Sequence, residues 1–214
     1  MELIKKEKTN KRYLLIILIG IFFFLFGIFF FTYDYYQKEK QNNIEKEKIE
    51  EFFEIDEQEE VQEKLIPDNE KDSNNEVKEE NYIGILEIPK INLKKGLVDK
   101  NSSSNNVDKN IYTLKETTLP DEQLNSHIIL AAHSGNSYIT YFKNLKKLDM
   151  KDKVYFYYKN VKYIYEISNK YEIDKTGTTE LKITNKSDIT LITCISGTNK
   201  QVVYVANLID KESY

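Results

Sequence analysis

The stretch that decides the fold is residues 154–167, which read VYFYYKNVKYIYEI. Val, Ile, Tyr and Phe dominate both halves, and these residue types favour β-strands. The polar pair Lys159 and Asn160 separates the two halves. Two such runs joined by a two-residue loop predict a β-hairpin, and therefore an antiparallel sheet in this part of the chain.

Similar short runs, separated by polar turns, recur on both sides of the hairpin: Tyr82–Ile88, His127–Ala132, Ile189–Thr193 and Val202–Leu208. One segment has helical periodicity, with apolar side chains at Tyr138, Tyr141, Phe142, Leu145 and Leu148. We therefore expect residues 82–214 to form an all-β domain, a barrel or sandwich of antiparallel strands with one or two short helices.

An uncharged apolar run extends from Tyr13 to Tyr33, close to the ~20 residues that a helix needs to cross a bilayer. A cleaved signal peptide is the alternative, but the run is long for a signal core and no small-residue cleavage site follows it. Five basic residues precede the run. The positive-inside rule then predicts a single-pass anchor, with residues 1–12 in the cytoplasm and residues 34–214 outside the cell membrane.

Residues 34–81 carry 18 acidic and 7 basic side chains and few large apolar ones. This composition predicts an acidic, partly helical or disordered tether that holds the domain away from the membrane. The charge of residues 82–214 is mildly positive and dispersed. It does not indicate a nucleic-acid partner.

Cys194 is the one cysteine of the chain, which excludes an intramolecular disulfide. A lone cysteine is commonly a buried small hydrophobe, but this one ends an apolar run and precedes a polar loop. His133 ends another apolar run in the same way, and a thiolate beside an imidazole can act as a nucleophile with its acid/base partner. His127 begins the strand that His133 ends, and we expect it to be solvated.

Three motifs resemble the sortase family. Thr190–Cys194 reads TLITC and matches the TLxTC signature, Ala132-His133-Ser134 is similar to the strand-end histidine, and Ile88–Ile91 resembles the opening strand of the sortase barrel. The similarity covers roughly residues 82–210 and keeps the order of the motifs.

The resemblance implies a mostly antiparallel closed β-barrel and a membrane-anchored cysteine transpeptidase, a hydrolase of the thiol-protease type. We expect no cofactor and no metal-ligand cluster, because the chain has only two histidines and one cysteine. Cys194 would attack a sorting motif near the C-terminus of a secreted protein and form a thioester. His133 would protonate the leaving amine. An amine of a cell-wall precursor or of a pilin subunit would then resolve the thioester.

The sequence departs from the family at an arginine that donates hydrogen bonds toward the substrate carbonyl. The chain's single arginine is Arg12, and Gln201 aligns with the family position, with Lys200 beside it. Gln201 acting as a neutral donor, Lys200 supplying the cation, and loss of activity all stay open. Thr193 would either bind substrate backbone or serve only its strand.

Two other functions are considered. In a papain-like hydrolase the cysteine opens a helix and precedes the histidine, whereas here the histidine comes first. A catalytically impaired, sortase-like surface binding module would explain the missing arginine. The loops from Gly96 to Asn110 and from Lys175 to Lys186 are expected to shape the substrate groove.

Overall fold

The computed structural model describes residues 2–63, 81–120, 122, 125–135, 139–175 and 185–214. Within the first helix, side chains are described for residues 13–33 and 35–55. The chain divides into two compact units, Met1–Ile44 and Glu45–Tyr214.

Helix α1 extends from Glu2 to Glu63. In the first unit its apolar side chains from Tyr13 to Tyr33 are exposed. Within the described part of the chain, one helix, over Tyr13–Ile55, is long and apolar enough to cross a membrane, a criterion of length and composition alone. It gives limited support to membrane association. The span 13–33 and its orientation stay predictions.

The second unit contains eight strands in one sheet. They are β1 (Gly84–Ile88), β2 (Leu93–Leu97), β3 (Tyr112–Thr113), β4 (His127–Ala131), β5 (Lys153–Tyr158), β6 (Val161–Asp174), β7 (Asp188–Cys194) and β8 (Lys200–Ser213). Their order is β2-β1-β5-β6-β8-β7-β4-β3, and the sheet curls into a nearly closed barrel. The fold-class prediction is confirmed. Every pair of neighbours is antiparallel except β4 and β7, which run parallel.

The predicted hairpin is formed by β5 and β6, which pair from Tyr158 and Val161 outward. Lys159 and Asn160 have φ values of 46° and 57°, so both residues adopt the left-handed conformation that a type I′ turn requires. The side chains of β5 alternate between buried and partly buried. This alternation is the pattern of a strand with one face on the core.

The segment predicted to be helical forms turns followed by a 3₁₀ helix over Leu145–Lys147. Phe142, Leu145 and Leu148 are buried, as their spacing predicts, whereas Tyr138 lies outside the described residues. The backbone N–H of Phe142 donates to the carbonyl of His133 at 3.1 Å. The segment therefore bonds to the backbone that follows β4 instead of forming the successive i to i−4 hydrogen bonds of an α-helix.

Two apolar clusters lie on opposite faces of the sheet. The larger one fills the barrel and includes Leu130, Leu191 and Tyr204, while the smaller one contains Ile129, Ile192, Val203 and Val205. Adjacent residues of a strand point to opposite faces, so β4, β7 and β8 contribute to both clusters. The strands that end at the candidate site are therefore held on both faces.

Part of α1 belongs to the second unit and packs on β1. Ile49 and Phe52 are buried and form an apolar cluster with Ile85, and Tyr82 and Tyr157 pack against it. A stretch of the predicted tether is thus integral to the barrel unit. The limits of the predicted domains stay predictions.

A carboxylate reinforces this contact. Glu45 accepts hydrogen bonds from the hydroxyl of Tyr82 at 2.7 Å and the backbone N–H of Gly96 at 2.8 Å, and it forms an ion pair with Lys95. A Cβ on Gly96 would collide with the ring of Tyr82, so the close approach requires glycine. Burial, and then the Glu45 charge, raise the pKa of the Tyr82 hydroxyl above its usual value.

Candidate active site

The parallel pair β4–β7 brings His133 and Cys194 to one edge of the sheet. Ala131 is paired with Ile192, and the N–H of Ala132 donates to the Ile192 carbonyl at 3.2 Å. His133 follows Ala131 by two positions, and Cys194 follows Ile192 by two. Because the strands are parallel and in register, both residues lie at the same C-terminal end of the pair.

Gln201 lies beside Cys194, since the two residues are directly paired across β7 and β8. Directly paired residues share a face of the sheet, so both side chains project to the same side. Lys200 is the next residue and points to the other face. Its ammonium lies 3.4 Å from a carboxylate oxygen of Glu172.

The Cys194 thiol is partly exposed and not disulfide-bonded. The loop that follows is tight, because the N–H of Ile195 donates to the carbonyl of Lys200 at 2.9 Å. Gly197 has a φ of 76°, a conformation that glycine adopts without strain. The backbone around the candidate nucleophile is therefore fixed by a short hairpin.

His133 has a carboxylate partner that the sequence did not indicate. Its Nε2 lies 3.1 Å from Oδ1 of Asp108, a residue of the loop between β2 and β3. The side chains are 42% and 75% exposed, so solvent weakens the attraction between them. The predicted groove loop from Gly96 to Asn110 contains Asp108, but no local motif distinguishes this aspartate.

Two hydroxyls connect the strand ends. Ser134 donates from Oγ to the carbonyl of Cys194 at 2.6 Å, and Thr193 donates from Oγ1 to the carbonyl of Ala132 at 2.7 Å. Thr193 is buried. In the structure its hydroxyl is bonded to the backbone just after β4. Its suggested contact with substrate stays a prediction.

The expectation that His127 is solvated was wrong. Its side chain is only 16% exposed, and Nδ1 lies 3.2 Å from Oδ2 of Asp188, which is 4% exposed. The partner comes from β7, which the sequence did not identify as the neighbour of β4. His127 nevertheless lies at the opposite end of β4 from His133.

An apolar row adjoins the candidate site. Register pairs Tyr171 with Val203, Val203 with Ile192, and Ile192 with Ala131, so these four residues cross β6, β8, β7 and β4 on the face of Cys194. Tyr171 and Ala131, at the two ends, are partly exposed. The arrangement puts an apolar surface one pleat away from the reactive groups.

Within the described residues, no group of three or more His, Cys, Asp or Glu side chains is arranged to hold a metal ion. The groups at this edge of the sheet are a thiol, an imidazole beside a carboxylate, an amide and two hydroxyls. This set can perform nucleophilic and acid/base chemistry on a carbonyl.

A model of the sortase domain matches residues 86–209. The chain belongs to the sortase family. Over 176 residues, this sortase is 27% identical to sortase A of Bacillus anthracis, covering 81% of this chain and 82% of the relative. The resemblance stated from TLITC, the strand-end histidine and the opening strand is thereby confirmed.

Solved structures share the fold. The sortase D5 transpeptidase of Clostridium perfringens has a TM-score of 0.56 and 22% identity, covering 78% of this chain and 99% of that chain. Sortase A of Listeria monocytogenes has a TM-score of 0.53 and 22% identity, covering 62% of this chain and 90% of that chain.

Membership of the sortase family implies that the chain is a cysteine transpeptidase. Sortases act on proteins with sorting signals and on pilins. It also fits association with a membrane, to which an apolar N-terminal helix is suited. The roles of individual residues in this sortase stay predictions.

Proposed function

We propose that this sortase cleaves a sorting motif near the C-terminus of a secreted protein through a thioester on Cys194. It then transfers the acyl group to an amine of a cell-wall precursor or of a pilin subunit. His133 acts as the acid/base, and Gln201 acts as a hydrogen-bond donor to the reacting carbonyl. The anchor crosses the membrane once, with residues 1–12 in the cytoplasm and the barrel outside.

One observation carries the proposal. Cys194 and Gln201 are paired across β7 and β8, and His133 lies two residues beyond the neighbouring parallel strand β4, at the same edge. A nucleophile and a neutral donor lie on two paired strands, and the proton carrier follows a third strand by two residues. This arrangement suits acyl transfer, since the sheet edge fixes the backbone from which the three groups project.

The chemistry proceeds in two displacements. The thiolate Sγ of Cys194 attacks the carbonyl carbon of the scissile amide, and His133 protonates the nitrogen as the C–N bond breaks. The acceptor amine then attacks the thioester and transfers a proton to His133. The new amide forms as the C–S bond breaks, which restores the thiolate and the imidazolium.

Gln201 supplies one amide N–H toward the oxygen on which negative charge develops. A single donor of this kind contributes about 10²–10³ in rate. Lys200 and Thr193 make no contact with substrate in this mechanism, because the Lys200 ammonium lies beside Glu172 and the Thr193 hydroxyl donates to the carbonyl of Ala132.

The apolar row beside the site suits an apolar residue of the sorting motif. Tyr171 and Ala131 are its partly exposed members and flank the covered pair Val203 and Ile192. A side chain that contacts the row would direct the following peptide bond toward Cys194, one pleat away. Binding by a distant substrate residue contributes to the rate by orienting the reacting bond.

The test uses the full chain in detergent micelles, mixed with peptides that carry LPxTG-like motifs, with and without an amine acceptor. Intact mass spectrometry measures the acyl adduct on Cys194 and the ligated product. We expect an adduct that disappears when the amine is added. Cys194→Ala should abolish the adduct, and His133→Ala should abolish turnover.

His127→Ala is the matched control for the histidine, because it removes the other imidazole of β4 from the far end of the strand. Equal losses of turnover in both histidine variants would contradict the assignment of His133. A folded wild-type chain that forms no adduct with any peptide would contradict the proposed function and favour a binding module.

A further inference from the structure

The contact between β4 and β7 continues beyond their last paired residues through side chains. The last register pair is Ala131 with Ile192. Farther along, the Thr193 hydroxyl donates to the carbonyl of Ala132, and the Ser134 hydroxyl donates to the carbonyl of Cys194. One bond runs from β7 to β4 and the other in the reverse direction.

These two bonds lie on either side of the catalytic pair. Ala132 and Ser134 are the immediate neighbours of His133, and Thr193 is the immediate neighbour of Cys194. The backbone of His133 is therefore tied to β7 both before and after the imidazole. The Cys194 backbone itself accepts one of the two bonds.

We propose that Ser134 and Thr193 are positioning residues that fix the distance and orientation between His133 and Cys194. This role depends on the proposed function, because it requires the two side chains to act as a pair. Neither hydroxyl needs to touch substrate. Each acts through the backbone carbonyl that it binds.

The short bonds and the burial of Thr193 support a rigid connection. Hydroxyl–carbonyl distances of 2.6 Å and 2.7 Å are typical of good O–H···O hydrogen bonds. The carbonyl of His133 also accepts a hydrogen bond from the N–H of Phe142, a buried residue. Loss of one hydroxyl would leave a single side-chain bond between the strand ends, and a shift of about 1 Å between reacting groups can cost about 10² in rate.

The test exploits the single cysteine, since alkylation of the full chain in micelles by iodoacetamide reports on Cys194 alone. The alkylation rate is measured for each variant with His133 intact and replaced by alanine, and the ratio gives the acceleration due to His133. The variants are Ser134→Ala and Thr193→Val, which remove a hydroxyl. Ser134→Thr and Thr193→Ser retain it.

We expect both hydroxyl-deleting variants to lose most of the His133-dependent acceleration of alkylation. In the peptide turnover assay, their kcat should be lower by about 10-fold or more. KM should stay within about twofold, and the hydroxyl-retaining variants should behave like wild type. A purely structural role would lower the melting temperature and leave the His133-dependent ratio unchanged, which would overturn the inference. Ser134 is partly exposed, so Ser134→Ala tests the idea even if Thr193→Val does not fold.

Failure of the proposed function gives a different result. In that case wild type itself shows no His133-dependent acceleration and forms no acyl adduct, and there is no pair to position. Wild-type acceleration that persists in full in Ser134→Ala overturns the positioning role alone.

Discussion

Replacing Glu45 with alanine is expected to lower the free energy of unfolding of the barrel unit by about 3 kcal/mol. The carboxylate accepts hydrogen bonds from Tyr82 and from the Gly96 N–H, and it neutralises Lys95. The Lys95 side chain is only 12% exposed, so the substitution leaves a mostly buried charge without its anion. Breaking a buried pair costs about 3–5 kcal/mol, and partial exposure favours the lower end.

Thermal unfolding of the full chain in micelles, followed by circular dichroism of the β-sheet signal, measures the effect. For a domain of this size, each kcal/mol lowers the midpoint by about 2–4 °C, so we expect a decrease of about 6–12 °C. Glu50→Ala is the matched control, since Glu50 is an exposed glutamate of the same helix and the change in helix propensity is identical.

Equal midpoints for the Glu45 and Glu50 variants would refute the reasoning. Such a result would mean that Lys95 and Gly96 find water or other partners at little cost. It would remove the evidence that α1 stabilises the barrel through this carboxylate.

Three further outcomes are expected. Gln201→Arg should keep or raise peptide turnover, whereas Gln201→Ala should lower kcat about 10²-fold, and loss of activity in the arginine variant would indicate a site adapted to the amide. His127→Ala should lower the unfolding free energy by about 1–3 kcal/mol, measured by thermal melting, because it removes an imidazole that lies 3.2 Å from a carboxylate oxygen of buried Asp188. It should leave turnover per folded molecule unchanged, because His127 lies at the other end of β4 from the candidate site. The raised pKa of Tyr82 means that the folded state retains its proton where the unfolded chain, with a pKa of 10.0, loses it. The contribution of Tyr82 to the free energy of unfolding is therefore fully present below about pH 10 and decreases above it, by up to about 1.4 kcal/mol per pH unit. Tyr82→Phe should remove this decrease and flatten the curve of stability against pH above about pH 10. An unchanged slope in the variant would contradict the raised pKa.

Local signals account for the parts of the fold that the sequence predicts. The β5–β6 hairpin follows from its strand composition and from a two-residue turn, both of which are contained in 14 consecutive residues. Strand β2 was missed because Lys94, Lys95 and Gly96 have weak strand propensity, and its pairing with β1 supplies what its composition lacks. A non-local contact also accounts for the 3₁₀ helix. The N–H of Phe142 bonds to the carbonyl of His133, just after β4, where the helical spacing of the apolar residues predicted an α-helix.

In the candidate site, too, the sequence predicts residues that carry a local signal and misses those that depend on long-range contacts. Cys194 and His133 were found because apolar runs end at them, which is a local feature. The contacts of Asp108 and Ser134 depend on how loops fold against strand ends, and β3, which brings the loop of Asp108 to β4, is only two residues long. The parallel pairing of β4 with β7 joins residues about 60 positions apart, so no local pattern indicates it.

That parallel pairing has a consequence for the order of folding. A hairpin with a two-residue turn closes in about 1–10 μs, whereas joining β4 to β7 requires the intervening 60 residues to close into a loop. We therefore expect a newly synthesised chain to form the β5–β6 hairpin well before β4 brings His133 to the edge of the sheet where Cys194 lies. During that interval Cys194 lacks His133 and Gln201 as neighbours, so the acyl transfer proposed above requires the complete barrel.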